Sequence, residues 1–445
     1  MDRLGQKIRE LRLKQKMKQG ELAKGLVTPS MISQIEAGKA NPSHKLLEQL
    51  AERLGTTVNY FISDMQIKQE QSTTYRLAKN YIERREYFRA SALLEELAKQ
   101  GDYTIHPSIF VDLAECWTQL GKQKKALKLY QTLYESGLQQ ANHSLSVLAL
   151  NKQGVIYFSR QQYSISEWYW KQAYSLAKRS PDIQVQLFAQ VQINLGTIYA
   201  KLGQPQKCKF FYMGAYQLLR GTNYMEQLAD ACLGLGLAYR NEKDYPAAIQ
   251  STQDAITMYR SLNLYELELD ATVNLAIIKR EYKLPEESIP LLQHCIEKYA
   301  QRKQSDDVSN VKTELARTFL FMAMQATEAG NTTDAEHYMA TATGLCNEAL
   351  EIAKTSSLQE ADIFETLGSI YSQQKQYATA VDFYKRSIRI YADIQHITAV
   401  MRVSKALAKL NMSFQQYKDA TETYLEMERL VQTILRYRVP RGLED

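Results

Sequence analysis

Lys18-Gln19-Gly20-Glu21-Leu22-Ala23, followed shortly by Leu26-Val27-Thr28-Pro29-Ser30-Met31-Ile32-Ser33-Gln34-Ile35-Glu36-Ala37-Gly38, decides the reading of the first part of the chain. The spacing predicts two short helices meeting at a tight turn. Thr28 can cap the second by accepting from its free amides, and Pro29 suits the first helical position, where the missing donor costs nothing. Ile32 and Ile35 fall on the face that meets Leu22, Ala23 and Leu26, which leaves Ser30, Ser33 and Gln34 on the opposite one. A polar, uncharged face suits hydrogen bonding to base edges in a major groove. Gly38 can end the helix with positive φ, and Asn41-Pro42-Ser43 turns the chain into the next apolar-periodic run, Leu46, Leu47, Leu50, Ala51 and Leu54.

These residues resemble the XRE (lambda-repressor-like) helix-turn-helix family over roughly residues 1–62, which implies a five-helix DNA-binding domain at 1–63. The usual family pattern has a glycine in the turn; here the stretch from Ala23 to Ile32 is one residue shorter and Leu26-Val27-Thr28 is read as the join. That compact version resembles the PlcR and NprR type of peptide-controlled regulator. By position, the resemblance puts DNA contacts on Gln19 and on Pro29, Ser30, Ser33 and Gln34. Pro29 cannot donate a hydrogen bond, so Ser30, Ser33 and Gln34 are the residues expected to read sequence. Lys18, Lys39, Asn41 and Lys45 are expected to meet phosphates, which position the domain without specifying a site.

Charge follows the same division. Residues 1–62 hold 11 Lys and Arg against 6 Asp and Glu, whereas the remainder holds 44 against 43. Nearly all of the chain's +6 thus sits where a polyanion would be met, as counterion release requires.

At 445 residues the chain is too long for one core. It has no apolar run long enough to span a membrane and no signal peptide, so a cytoplasmic protein without a membrane partner is expected. Five cysteines, at 116, 208, 232, 295 and 346, are dispersed and include no CxxC pair, and read as small core residues. The six histidines lack metal-ligand spacing and no phosphate-binding glycine loop occurs, so no metal, cofactor or enzymatic activity is expected. The tail 439–445 is set aside from the fold argument.

From about residue 73 to 438 the chain repeats itself. Leu195-Gly196-x-x-Tyr199, Leu235-Gly236-x-x-Tyr239 and Leu367-Gly368-x-x-Tyr371 are the clearest copies, with Gly154-x-x-Tyr157 a fourth. Twelve residues after each small residue comes another (Ser166, Cys208, Ala248, Ala380), often with an aromatic four later (Trp170, Tyr212, Tyr384). This is the tetratricopeptide pattern: small residues let paired helices approach and aromatics fill the groove between repeats. With the first small residue as marker, nine copies fall at Ala78, Ala114, Gly154, Gly196, Gly236, Ala276, Ala323, Gly368 and Ala408, at spacings of 36 to 47 residues. An all-α chain is therefore expected, the helix-turn-helix domain being followed by a right-handed superhelix of about nine repeats. The segment 64–72 joins the two as a helix or as a hinge.

In such repeats the first helix of each pair lines the inner surface. Positions two and six before the marker, one after it and five after it share a stripe: Gln190, Asn194, Thr197 and Lys201; then Asp230, Gly234, Leu237 and Asn241; then Asp270, Asn274, Ile277 and Glu281. The third repeat offers Lys152, with Asn151 beside it. An asparagine amide can donate to a backbone carbonyl and accept from the next N–H, holding an extended peptide whatever its side chains.

Together the two parts resemble the Rap, Rgg, NprR, PlcR and PrgX (RRNPP) family of Gram-positive quorum-sensing receptors. The resemblance implies a cytoplasmic homodimer or tetramer that binds a two-half-site, palindromic operator. It also implies a repeat domain that takes a short imported signalling peptide and dimerises. Candidate peptide contacts are Asn151, Lys152, Asn194, Thr197, Lys201, Asp230, Asn241, Asp270 and Asn274. The alternative the family offers is a Rap-like protein that grips or dephosphorylates a response regulator, alone or as a second role.

Overall fold

The protein is described by a computed structural model covering residues 3–100, 107–353 and 357–438; the tail 439–445 lies outside the described residues. Among these residues there are 22 helices and no strand. The first four are α1 (Arg3–Lys14), α2 (Gln19–Ala23), α3 (Pro29–Glu36) and α4 (His44–Arg53). The fifth, α5 (Val58–Glu83), runs as one helix through the segment read as a helix or hinge.

Thr28 Oγ1 accepts from the Met31 N–H at 3.3 Å with Pro29 in the first helical position, and Ser43 caps α4 by accepting from Leu46 at 3.3 Å. Leu22, Ile32, Ile35, Leu50, Leu54 and Phe61 form the interior of this module. One expectation needs correction. The turn between α2 and α3 does contain a glycine, Gly25, whose φ of 77° supplies the left-handed residue that reverses the chain before Leu26.

Buried under the module is an ion pair. The Arg12 guanidinium donates twice to Glu36, at 2.6 and 2.9 Å, and once to the Met17 carbonyl at 2.8 Å. Gln19 Nε2 donates to the same carboxylate at 2.8 Å, so one residue each from α1, α2 and α3 is locked together. The close approach behind it needs Gly5, because a Cβ there would lie 2.2 Å from the Ile35 carbonyl oxygen. Arg53, at the end of α4, donates to the Leu22 and Lys24 carbonyls and so satisfies the end of α2.

The remaining helices pair with α5 onward. They are α6 (Tyr87–Gln100), α7 (Pro107–Gln119), α8 (Gln123–Gln139), α9 (His143–Ser159), α10 (Tyr163–Arg179), α11 (Val185–Lys201), α12 (Pro205–Leu219), α13 (Met225–Asn241) and α14 (Tyr245–Ser261). After them come α15 (Tyr265–Glu281), α16 (Pro285–Gln301), α17 (Ser305–Glu328), α18 (Thr332–Ile352), α19 (Ser357–Gln373), α20 (Tyr377–Asp393), α21 (Ile397–Ser413) and α22 (Tyr417–Arg438). Each of the nine markers falls on the first helix of a pair. Seven residues after every marker stands a left-handed residue: Arg85, Gly121, Gln161, Gly203, Lys243, Lys283, Gly330, Lys375 and Gln415. The N–H after it closes the turn; that of Asp244 donates to the Tyr239 carbonyl at 3.0 Å. The long spacing around Ala323 has a plain cause: α17 and α18 run 24 and 21 residues where most neighbours run 17.

The chain divides into two compact units, Met1–Ile156 and Tyr157–Asp445. In the second, the predicted small-to-aromatic packing is explicit: a Cβ on Gly196 would lie 2.8 Å from the Tyr212 ring, and one on Gly368 would lie 2.8 Å from the Tyr384 ring. All five cysteines are buried, and burial pushes their thiols up to about 11 or 12.

Burial alone would raise the Glu36 pKa; the hydrogen bonds from Arg12 and Gln19 and the nearby cations outweigh it and lower it. A lowered folded value means this pair stabilises the module above the range where the unfolded carboxyl titrates, and that contribution is lost as pH falls through the folded value. Glu36→Ala would strand the Arg12 charge, and removing one partner of a buried pair costs about 3–5 kcal/mol. Urea unfolding of the module at neutral pH is expected to show that loss, shrinking toward acid; an unchanged midpoint would contradict it.

Candidate functional site

In the first unit, α3 presents one polar face. Pro29, Ser30, Ser33 and Gln34 are all exposed while Ile32, Ile35 and Glu36 point inward, and Lys18, Lys39, Asn41 and Lys45 are exposed around them. Gln19 differs from the others, being half-buried with its amide nitrogen committed to Glu36. The Glu36 carboxylate therefore ties α3 to α1 through Arg12 and to α2 through Gln19, with the serine and glutamine face left outward. Hydroxyls and a primary amide at three- and four-residue spacing can donate to and accept from base edges.

In the second unit, a cavity of about 410 Å³ opens on the inner helices α11, α13 and α15. Gln190, Asn194 and Thr197 come from α11; Asp230, Gly234, Leu237 and Arg240 from α13; Asn274 and Ile278 from α15. Tyr212 and Thr252 reach in from the second helices α12 and α14. Asn194 and Asn274 thus stand on either side of α13, where Gly234 offers no side chain.

The polar groups are held in place by their own repeats or, for Arg240, by the next one. The Tyr212 hydroxyl lies 2.9 Å from Thr197 Oγ1, and the Gln190 amide reaches Asn194 Oδ1 at 3.4 Å. The Tyr259 hydroxyl donates to Asp230 at 2.6 Å. Burial raises the Asp230 pKa, partly offset by that hydrogen bond and reinforced by Glu226. Asn274 Nδ2 donates to the Asp270 carbonyl at 2.9 Å, and Arg240 is paired with Glu281 of α15 at 2.5 Å.

Of the residues named from sequence, Asn194, Thr197, Asp230 and Asn274 line the cavity, whereas Lys201, Asn241 and Asp270 are outside its lining. The Asp270 carboxylate instead accepts from the Tyr299 hydroxyl at 2.6 Å. Asn151 and Lys152 belong to the other compact unit. Asn151, one position off the stripe, is 4% exposed, and Lys152 forms a salt bridge with Glu115 at 2.7 Å. Sequence reasoning did not name Tyr212, Thr252 or Arg240 as site residues. Tyr212 carried a signal, since it was read as a groove filler; Arg240 sits one position off the stripe and carried none.

The Helix-turn-helix family model matches residues 8–61, and the Tetratricopeptide repeat model matches 189–218 and 361–394. The chain thus carries a helix-turn-helix segment and tetratricopeptide repeats. The combination is consistent with the resemblance to the peptide-sensing RRNPP regulators. Among curated proteins no match is found. Among solved structures, a Rap protein complexed with competence and sporulation factor is 11% identical, with 83% of this chain and 99% of that one covered and a TM-score of 0.52. A signal-transduction ATPase with a tetratricopeptide repeat sensor from Pyrococcus horikoshii is 13% identical, covering 85% and 56%, at 0.52. PlcR from Bacillus thuringiensis, in complex with the peptide PapR7 and DNA, is 14% identical, covering 68% and 96%, at 0.37. At these identities the likeness is one of fold. No helix among the described residues is long and apolar enough to cross a membrane, and no group of His, Cys, Asp and Glu among them could hold a metal ion.

Gly234 gives the site a test of its own. A Cβ there would lie 2.2 Å from the Tyr212 ring. Alanine gains up to about 1 kcal/mol of helix propensity over glycine, but overpacking costs about 1–3 kcal/mol. Gly234→Ala is thus expected to lower the unfolding midpoint, and adding Tyr212→Leu to recover part of the loss. A midpoint raised by the alanine alone would show that the contact is not tight.

Proposed function

We propose that the protein is a peptide-responsive DNA-binding regulator. The α3 face binds operator DNA, and the cavity among α11, α13 and α15 takes an extended segment of a short peptide. The observation that carries the reading is the pair of asparagines flanking the side-chain-free position of α13. Two amides on alternate inner helices can each hold a stretch of peptide main chain, while Leu237 and Ile278 meet apolar side chains. The cavity's size lies within the range of about 300–1,000 Å³ usual for small-ligand sites.

The excess charge of the helix-turn-helix segment supports DNA as the other partner. A two-half-site operator would need two copies of the module, so a homodimer is the working assembly. Peptide binding favours whichever arrangement of modules the peptide-bound state prefers, and can shift the population only by its differential affinity for the two. The role is one of binding and positioning rather than catalysis.

Mobility-shift titration on promoter DNA from the protein's own locus separates the two sites. Ser33→Ala and Gln34→Ala are each expected to weaken specific binding by about 5- to 150-fold, the equivalent of 1–3 kcal/mol per base contact. Lys39→Ala is expected to weaken specific and non-specific binding alike and to flatten the salt dependence by about one ion. With a synthetic short peptide that shifts DNA binding of the unsubstituted protein, Asn194→Ala combined with Asn274→Ala should abolish the response and leave unliganded DNA binding as it was. A full peptide response in that double variant would overturn the cavity reading, and no specific DNA binding under any condition would overturn the regulator reading.

A further inference from the structure

The second unit carries a groove and a charge imbalance that neither DNA nor peptide binding uses. Between Tyr157 and Arg220 the chain holds eight Lys and Arg against two Asp and Glu, an excess as large as that of the whole protein. Lys171 and Lys209 pair with Glu167 and Glu242. Lys178, Arg179, Lys207 and Arg220 are exposed and form no salt bridge among the described residues.

Set into this basic surface is a groove of about 730 Å³ along α10 and α12, floored by Tyr174, Phe188, Met213 and Leu218 and edged by Lys178 and by the Lys209–Glu242 pair. Phe210 stands at its wall 63% exposed, and Trp168, at the equivalent position of α10, is 54% exposed. An open aromatic that continues an apolar groove rimmed by polar residues is the kind of contiguous patch that marks an interaction site.

A complementary surface lies on α22. Tyr417, Tyr424 and Leu425 are 64%, 40% and 49% exposed. With Thr421 and Glu428 they recur at helical spacing, so they form one ridge. Between Tyr417 and Glu428 that helix carries Asp419, Glu422, Glu426 and Glu428 against the single cation Lys418. An apolar ridge bordered by carboxylates thus exists in the same chain as an apolar groove set into a stretch with an excess of cations.

The geometry points to self-association in which α22 of one copy lies in the α10–α12 groove of a second copy. Two such contacts related by a twofold axis close a dimer, each copy giving one helix and one groove. A helix laid in a groove between helices is a recurrent docking mode, with the ridge residues as anchors. The bordering charges select the register and make the association salt-sensitive, while the aromatics supply the burial. This inference stands independently of the peptide cavity.

Two measurements on the full-length protein test it. Phe210→Cys and Leu425→Cys proteins are prepared separately and mixed under mild oxidation; the five native cysteines are buried with raised pKa values and stay silent. A covalent dimer containing one of each variant is expected from the mixture and little from either variant alone. In sedimentation equilibrium, Lys178→Glu with Lys207→Glu is expected to weaken the dimer at least tenfold, with recovery when Glu422→Lys and Glu426→Lys are added to the same chain. No mixed crosslink, together with a dimer unmoved by the charge reversals, would overturn the proposal. So would a monomer whose groove is instead filled by an unrelated acidic peptide or by single-stranded DNA, as judged by loss of thiol labelling in Phe210→Cys.

Discussion

The repeat array depends on how closely two helices of a pair can approach, and that is set by what is missing from the first of them. At Gly196 and Gly368 the absent Cβ is the space an aromatic ring occupies, with Tyr212 and Tyr384 each within 2.8 Å of where it would stand. The rings then carry hydroxyls to the next residue of the same inner helix, Thr197 at 2.9 Å and Ser369 at 3.1 Å. Packing and polar satisfaction are thereby achieved by one side chain. A larger residue at the marker would displace the ring, the hydroxyl contact and the wall of the cavity together, because interiors packed at crystal-like density do not yield locally.

The helix-turn-helix segment rests on a different kind of constraint. Its three leading helices meet at a buried carboxylate, and Glu36 receives Arg12 and Gln19 from two separate helices. Buried ion pairs contribute little net stability over apolar replacements, but breaking one is expensive. Its effect here is geometric: the recognition face is fixed to the body of the module, leaving Ser30, Ser33 and Gln34 with no structural task.

Much of this was legible in the sequence because it is local. Thr28 and Pro29 announce a helix start, and the marker residues announce nine pairs, since a small residue followed twelve later by another leaves few arrangements open. What could not be read depends on contacts far apart in sequence. Asp230 was read as a groove residue from its stripe, but its partner Tyr259 lies 29 residues on, in the second helix of the pair; the same spacing joins Asp270 to Tyr299 and Asp362 to Tyr391. Asn151 stands three residues before its marker where Asn194 stands two before its own, and it is buried like Ile193, its equivalent in the next repeat. The Gly25 turn is hidden for a simpler reason: the left-handed residue sits just before Leu26-Val27-Thr28, the run that by sequence looks like the join.

The central claim is that an extended peptide lies across α11, α13 and α15. Hydrogen–deuterium exchange on the full-length protein, with and without a short synthetic peptide that shifts its DNA binding, tests it most directly. Protection gained in the stretches around Asn194, Gly234 and Asn274, and lost in the Asn194→Ala, Asn274→Ala double variant, is the predicted result. Binding that leaves these three stretches unchanged and protects another part of the array would contradict the account.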